Sequence, residues 1–238
     1  MDREQIKVET FTPDCRRVLE RGEHALIGVS TGNSYFTQRT LAALLKWAVD
    51  LFDHVDVIYT DLHLADMYAA DGYTPEHAAS RAKKTARDAH RRIRRAVEQL
   101  PPTKAVQVRA LSECATLPGY QAVHTRLESA RSHDQDLARI CDDHVVQWLA
   151  DCDHTTPANA DGDDPRHRAA LAYLMAELPI LTATPEALDL PSSVCCYHTF
   201  MPILHGLRRL DGYWHPAQAH AAVHVAPPPE APAERSRA

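Results

Sequence analysis

His24-Ala25-Leu26-Ile27-Gly28-Val29-Ser30-Thr31-Gly32-Asn33-Ser34-Tyr35-Phe36 is the stretch on which the fold turns. A short apolar run, apolar enough for a strand buried on both faces from His24 to Ser30, ends in a cluster of small residues. An amphipathic segment follows, and it predicts a helix from Tyr35 to Phe52. Its residues Leu41, Leu44, Leu45, Ala48, Val49 and Phe52 recur at the spacing of a core-facing stripe. Val55-Asp56-Val57-Ile58-Tyr59-Thr60 then reads as a second strand, rich in β-branched residues. A strand, helix and strand joined by short turns imply parallel pairing and a right-handed crossover. The expected geometry puts Ser30 at the mouth of a helix, where free amides and the dipole would stabilise charge developing as the hydroxyl attacks an ester. Gly28 and Gly32 flank the serine without side chains to block a substrate.

Taken alone, the stretch has other readings. Gly28-x-Ser30-x-Gly32 matches the nucleophile elbow of α/β-hydrolases, although that fold expects strands before the serine and little chain precedes this one. It also fits a Rossmann-like first turn in which the serine merely caps a helix.

Before the stretch, residues 2–22 read as a polar entry segment with a short helix near Cys15 to Arg21. After it, Asp61 to Asp71 reads as a short helix. Thr74 at an N-cap and Pro75 in a first turn begin a long one, which Pro101-Pro102 stops near Leu100. Residues 75–100 carry eight basic side chains against Glu76, Asp88 and Glu98, in a chain whose net charge is −6. At helical spacing Lys84, Arg87, Arg91 and Arg95 share one sector, with Arg94 beside it. A solvated face is the usual fate of a charge run, but such faces mix signs, and this one is nearly all positive. Contact with a phosphate backbone accounts for it better, and without interleaved aromatics the contact would be with shape rather than splayed bases.

Lys104 to Ala110 predicts a third strand, and Leu117 to Trp148 a helical region interrupted around Ser132 to Asp136. Asp151 to Arg168 reads as a surface loop, Arg166 to Leu181 as a helix, and Pro185 and Pro191 as brackets around a short helical turn. Ser192 to His198 is a fourth strand and Ala221 to Val225 a last one, with a disordered tail from Pro227. The 238 residues, 45% apolar, suffice for one core, so a single domain is expected over residues 1–226. With no 18-residue apolar run and no signal-peptide pattern at the N-terminus, a soluble cytoplasmic protein is expected. Six cysteines form no C-x-x-C pair and read as buried free thiols. His220 and His224 are four apart but fall in what reads as the C-terminal tail region. No metal site is expected there, and no cofactor elsewhere.

Tyr173 and Glu177 lie one helical turn apart, so they share a face, in a run of Leu171, Ala172, Leu174, Met175, Ala176 and Leu178. Singly, Tyr173 passes as a core aromatic and Glu177 as a surface residue. Together with His24 to Phe36 and Cys196-Tyr197-His198, they resemble the cyclodipeptide synthases. The resemblance takes in Asp56-Val57-Ile58-Tyr59-Thr60-Asp61-x-His63, the basic helix and Arg109-Ala110-Leu111-Ser112-Glu113, and so runs from about Arg21 to His198. Asn33, Tyr197 and His198 resemble the signature of one subgroup of that family.

The resemblance implies an α/β fold with a Rossmann-like parallel sheet flanked by helices, similar to the catalytic domain of class I aminoacyl-tRNA synthetases, in a monomer. It implies two aminoacyl-tRNAs as substrates, a 2,5-diketopiperazine as product and no ATP. Ser30 would carry the first amino acid as an acyl-enzyme, Tyr173 and Glu177 would hold its ammonium group, Asn33 would bond substrate carbonyls, and Tyr197 would move protons. Leu26, Gly28, Ile58, Leu111, Ile180 and Cys195 would line an apolar pocket for a hydrophobic or aromatic first residue. His198 would bind substrate, and the residues after it, Thr199, Phe200 and Met201, would help shape the second pocket. Lys84, Arg87, Arg91, Arg94 and Arg95 would meet tRNA. A serine esterase built on the same elbow, or a non-catalytic tRNA-binding module, are the competing expectations.

Overall fold

Strands and helices alternate from Ile6 onward in the computed structural model, which describes residues 6–152 and 164–226. In chain order come β1 (Ile6–Thr10), α1 (Pro13–Arg21), β2 (His24–Val29), α2 (Gln38–Leu51), β3 (His54–Tyr59), α3 (Leu64–Ala70) and α4 (Pro75–Val97). The chain continues through β4 (Val106–Ala110), α5 (Leu111–Cys114), α6 (Pro118–His133), α7 (Gln135–Cys152) and α8 (Pro165–Leu188). It ends on β5 (Ser193–Tyr197), α9 (Ile203–Leu207) and β6 (Gln218–Val225).

The six strands form one sheet in the order β1-β6-β5-β2-β3-β4. Every pairing is parallel except that of β1 with β6. Central β2 is buried along nearly its whole length, as a strand covered on both faces requires. Its period of two divides the interior. Ala25, Ile27 and Val29 join Val55, Val57, Val194 and Cys196 in a core shared with α1, α2 and α4. Leu26 points the other way, with Ile58 and Cys195, into a core shared with α6, α7, α8 and α9. Chain direction across the sheet reverses at the β2–β5 pair, since β2 leads to β3 on one side while β5 arrives much later on the other. At such a reversal the loops after the strands part and leave a crevice at the carboxyl edge.

The strand–helix–strand reading and the capped basic helix both stand: the Thr74 hydroxyl accepts the His77 N–H at the start of α4. Several boundaries differ. Helix α2 starts at Gln38 rather than Tyr35, because Asn33 Oδ1 takes the Tyr35 N–H (2.9 Å) and Thr37 caps the helix by accepting the Thr40 N–H (3.1 Å). The polar entry segment contains an edge strand, β1, whose middle residues are exposed and so give no apolar signal. His220 and His224 lie in β6, inside the sheet, not in a tail.

The helix expected over Arg166 to Leu181 runs from Pro165 to Leu188, with a break at Ala183 (φ −151°, ψ 45°) instead of a separate turn after Pro185. Proline has no N–H to give the carbonyl four residues back. Opposite Pro185 the freed Leu181 carbonyl is taken by His220 Nε2 (2.8 Å), and just before the break the Thr182 carbonyl accepts the His215 N–H (2.9 Å). Of the loop expected over Asp151 to Arg168, α7 takes the start and α8 the end; residues 153–163 and the tail from Pro227 lie outside the described residues. No helix among the described residues is long and apolar enough to cross a membrane.

Candidate active site

Ser30, Thr60 and Tyr197 stand at the carboxyl ends of three neighbouring strands, β2, β3 and β5. Ser30 and Tyr197 share the parity of Leu26 and Cys195, and Thr60 that of Ile58, so all three project toward the α8 side of the sheet. The Ser30 hydroxyl is 2.9 Å from the Tyr197 phenol oxygen. Asn33 Nδ2 donates to that phenol oxygen (3.4 Å) and to His198 Nε2 (3.2 Å). Because Asn33 Oδ1 is occupied by the Tyr35 N–H, the orientation of the amide is fixed. Gly32, at φ 85°, turns the chain between serine and asparagine in a conformation that side-chain-bearing residues rarely adopt.

Helix α8 supplies the other wall. The Tyr173 hydroxyl donates to Thr60 Oγ1 (2.7 Å), and its ring stacks on Trp148 of α7 (centroids 5.4 Å apart). Glu177, one turn on, is half-buried, and burial pushes its carboxyl up to about 7 while the Tyr173 hydroxyl pulls it back. Burial also lifts the phenols of Tyr173 and Tyr197, with the Glu177 charge adding to both shifts. Both tyrosines are therefore protonated at neutral pH. His198 is lowered, by burial first and then by His224, so its ring is neutral and its Nε2 accepts from Asn33.

Two hollows meet at these groups. One, about 620 Å3 with its mouth included, runs down the sheet and is lined by all six predicted pocket residues: Leu26, Gly28, Ile58, Leu111, Ile180 and Cys195. The other, about 1190 Å3, is wider and opens past Asn33, Trp148 and Tyr173. Ser30, Glu177, Tyr197, Thr199, Phe200 and Met201 border both. His198 lines neither. Its ring stacks on Tyr35 (4.6 Å) behind Asn33, which makes it a support of the site rather than a wall of a pocket.

The expected helix mouth is not where Ser30 sits. With α2 beginning at Gln38 and capped by Thr37, the residues after Ser30 form a turn that places Asn33. The sequence reading missed Thr60, Trp148 and His220. For Thr60 a signal existed, since it ends a strand at the parity of Ile58; for the other two, nothing distinguishes them from packing residues. Lys84, Arg87, Arg91, Arg94 and Arg95 are exposed on α4, which buries Ala78, Ala89, Ile93 and Ala96 on its other side. Arg91 is paired with Asp88 (3.1 Å).

Comparison with known proteins agrees over nearly the whole chain. The family model for cyclodipeptide synthase matches residues 6–225. Cyclo(L-leucyl-L-phenylalanyl) synthase of Streptomyces noursei is 38% identical over 224 residues, covering 93% of this chain and 92% of the relative. Cyclo(L-tyrosyl-L-tyrosyl) synthase of Mycobacterium tuberculosis is 35% identical over 202 residues, covering 84% and 68%. A solved Mycobacterium tuberculosis structure, reported to show that cyclodipeptide synthetases are related to type I tRNA synthetases, superposes with a TM-score of 0.84 at 33% identity. It covers 95% of this chain and 96% of that one. A more remote neighbour, a cyclodipeptide synthase from Candidatus Glomeribacter gigasporarum bound to Phe-tRNAPhe, shares the fold (TM-score 0.53, 13% identity, 90% and 92% covered).

Proposed function

We propose, from the premise that the chain belongs to the cyclodipeptide synthase family, that it joins the amino acids of two aminoacyl-tRNAs into a 2,5-diketopiperazine through esters on Ser30. The contact between the Ser30 hydroxyl and the Tyr197 phenol, at the meeting of two hollows beside Glu177, carries this reading. Residues 1–226 then form one catalytic domain, supported by the single sheet whose two cores span the described chain. Asn33, Tyr197 and His198, joined through one amide, are the group expected of the Asn-Tyr-His subgroup.

In the first step the Ser30 oxygen attacks the aminoacyl carbonyl and the tRNA hydroxyl leaves. The serine proton passes through Tyr197 to that hydroxyl. A phenol raised by burial is a poor standing base, so Tyr197 gives up one proton as it takes another. Glu177, ionised, pairs with the α-ammonium, and Tyr173 is fixed by Thr60 to face the same group. In the second step the bound amine, having lost one proton to Glu177, attacks the ester of the second aminoacyl-tRNA; the tRNA oxygen leaves with a second proton from that amine, and the dipeptidyl ester remains on Ser30. A carboxyl near neutrality suits that exchange. In the third step the new terminal amine attacks the Ser30 ester, the ring closes, and Tyr197 passes the proton released by that amine to the departing serine oxygen. Each substrate ester arrives activated, so no ATP is consumed.

The first hollow suits a hydrophobic or aromatic side chain and the wider one the second aminoacyl group, with Thr199, Phe200 and Met201 between them. The α4 cations meet the tRNA backbone. Expression in a bacterium followed by mass analysis of the medium tests the activity: cyclic dipeptides are expected, and none from Ser30→Ala. Intact-mass analysis with charged tRNA should show one aminoacyl residue on the wild type. Full diketopiperazine formation by Ser30→Ala would falsify the covalent scheme.

A further inference from the structure

The hollow beneath Ser30 ends on a polar group. His220 of β6 lies in register with Cys195, which lies in register with Leu26, so these three residues form one row across the sheet. The Leu26 end of that row is four residues below Ser30, roughly 13 Å of strand, and His220 stands two strands to the side, roughly 10 Å across the sheet. His220 is 3% exposed, and its ring both lines the hollow and packs on Trp214 (centroids 4.9 Å apart).

One side of this imidazole is committed. A carbonyl only accepts, so His220 Nε2 must donate to the Leu181 oxygen at 2.8 Å. Burial holds the ring neutral, lowering it to about 4. The tautomer follows: hydrogen on Nε2, lone pair on Nδ1. Nδ1 has no hydrogen-bond partner among the described residues. The Leu181 carbonyl is available only because Pro185 cannot bond it, so the helix irregularity and the histidine tautomer are one arrangement. The neighbouring surface, Leu26, Leu181, Cys195 and Leu204, has no other strong polar group, and the Cys195 thiol is kept neutral by burial.

We infer that His220 Nδ1 is the acceptor for the phenol of a tyrosyl group esterified to Ser30, and that the pocket therefore selects tyrosine over phenylalanine as the first residue. This rests on the acyl-enzyme reading of Ser30. A phenylalanyl ring fills the same apolar walls but expels water from the floor and leaves Nδ1 unpaired, which disfavours it. Serine and threonine hydroxyls stay near the mouth, well short of the row at His220. Tyrosine combines the length, the apolar body and the terminal donor.

The test uses one tRNA body charged with either tyrosine or phenylalanine, so that RNA contacts are constant, and reads the initial rate of Ser30 acylation by intact mass. For the wild type, tyrosine is expected to exceed phenylalanine at least ~10-fold, and for His220→Phe the ratio is expected to fall to about one, with phenylalanine still accepted. A wild-type ratio of one or less overturns the assignment, as does an unchanged ratio in the variant. If His220→Phe fails to fold, the wild-type ratio decides alone. Absence of any adduct from either charged tRNA would instead sink the acyl-enzyme reading itself.

Discussion

In the cleft, Ser30 and Asn33 are hydrogen-bonded to Tyr197 and Tyr173 to Thr60, all uncharged, with Glu177 held among apolar neighbours. Along α4, Lys84, Arg87, Arg91, Arg94 and Arg95 stand in solvent on a helix that buries little beyond alanine and Ile93. The two regions use polar chemistry in opposite regimes. Enclosed groups interact strongly one by one and depend on geometry, whereas exposed cations are screened and act by number. Single substitutions should thus be severe and salt-independent in the cleft, and mild, cumulative and salt-dependent on α4.

The sharpest check is Ser30→Ala, expected to reduce diketopiperazine formation at least ~1000-fold at every salt concentration with the melting temperature nearly unchanged. Asn33→Ala comes next. It unties Tyr197, His198 and the Tyr35 turn together, and a loss of about a hundredfold in turnover is expected, since small misplacements of reacting groups carry costs of that order.

Glu177 gives a signature in pH. The free carboxyl titrates at about 7, so kcat/KM should rise as pH increases through that value, and Glu177→Gln should be slower and lack the rise. Its folded value lies above the ordinary 4.5, so the native state binds the extra proton and loses stability as pH climbs from 4.5 to 7. Denaturation of Glu177→Gln should accordingly show a gain over wild type above pH 7, up to about 3 kcal/mol, that vanishes below pH 4.5.

On α4, replacing Lys84, Arg87, Arg91 and Arg95 together by alanine should weaken tRNA binding and flatten its logarithmic salt dependence by about 0.7 to 0.9 for each phosphate no longer neutralised. Arg91→Ala alone is expected to have the smallest effect of the set, because Asp88 already shares that cation. A salt-insensitive collapse from that single change would break the contrast.

What the sequence discloses follows the same divide. Periodicity exposes β2, α2 and β3 because they are half or fully buried, and Thr74-Pro75 marks the start of α4 by local capping alone. β1 escapes because an edge strand with exposed middle residues has no apolar alternation. The start of α2 is misplaced because Tyr35 and Phe36, apolar at helical spacing, instead pack against Tyr197 and His198. Tyr173 and Glu177 are visible as an i, i+4 pair, yet their approach to Thr60 and Ser30 depends on α8 crossing the carboxyl edge of the sheet. The place of His220 depends on strand register and on a carbonyl freed by a proline, both set by long-range pairing.

The two hollows bordering Ser30 differ in width and lining, and that asymmetry has a consequence for what can be learned from the end of the reaction. A closed six-membered ring reads the same whichever residue went in first, so the product erases the sequence of loading that the unequal chambers impose. Under the proposed scheme the history would survive only in the Ser30 ester, so the direction of loading would be recorded on the protein and nowhere in the molecule it releases.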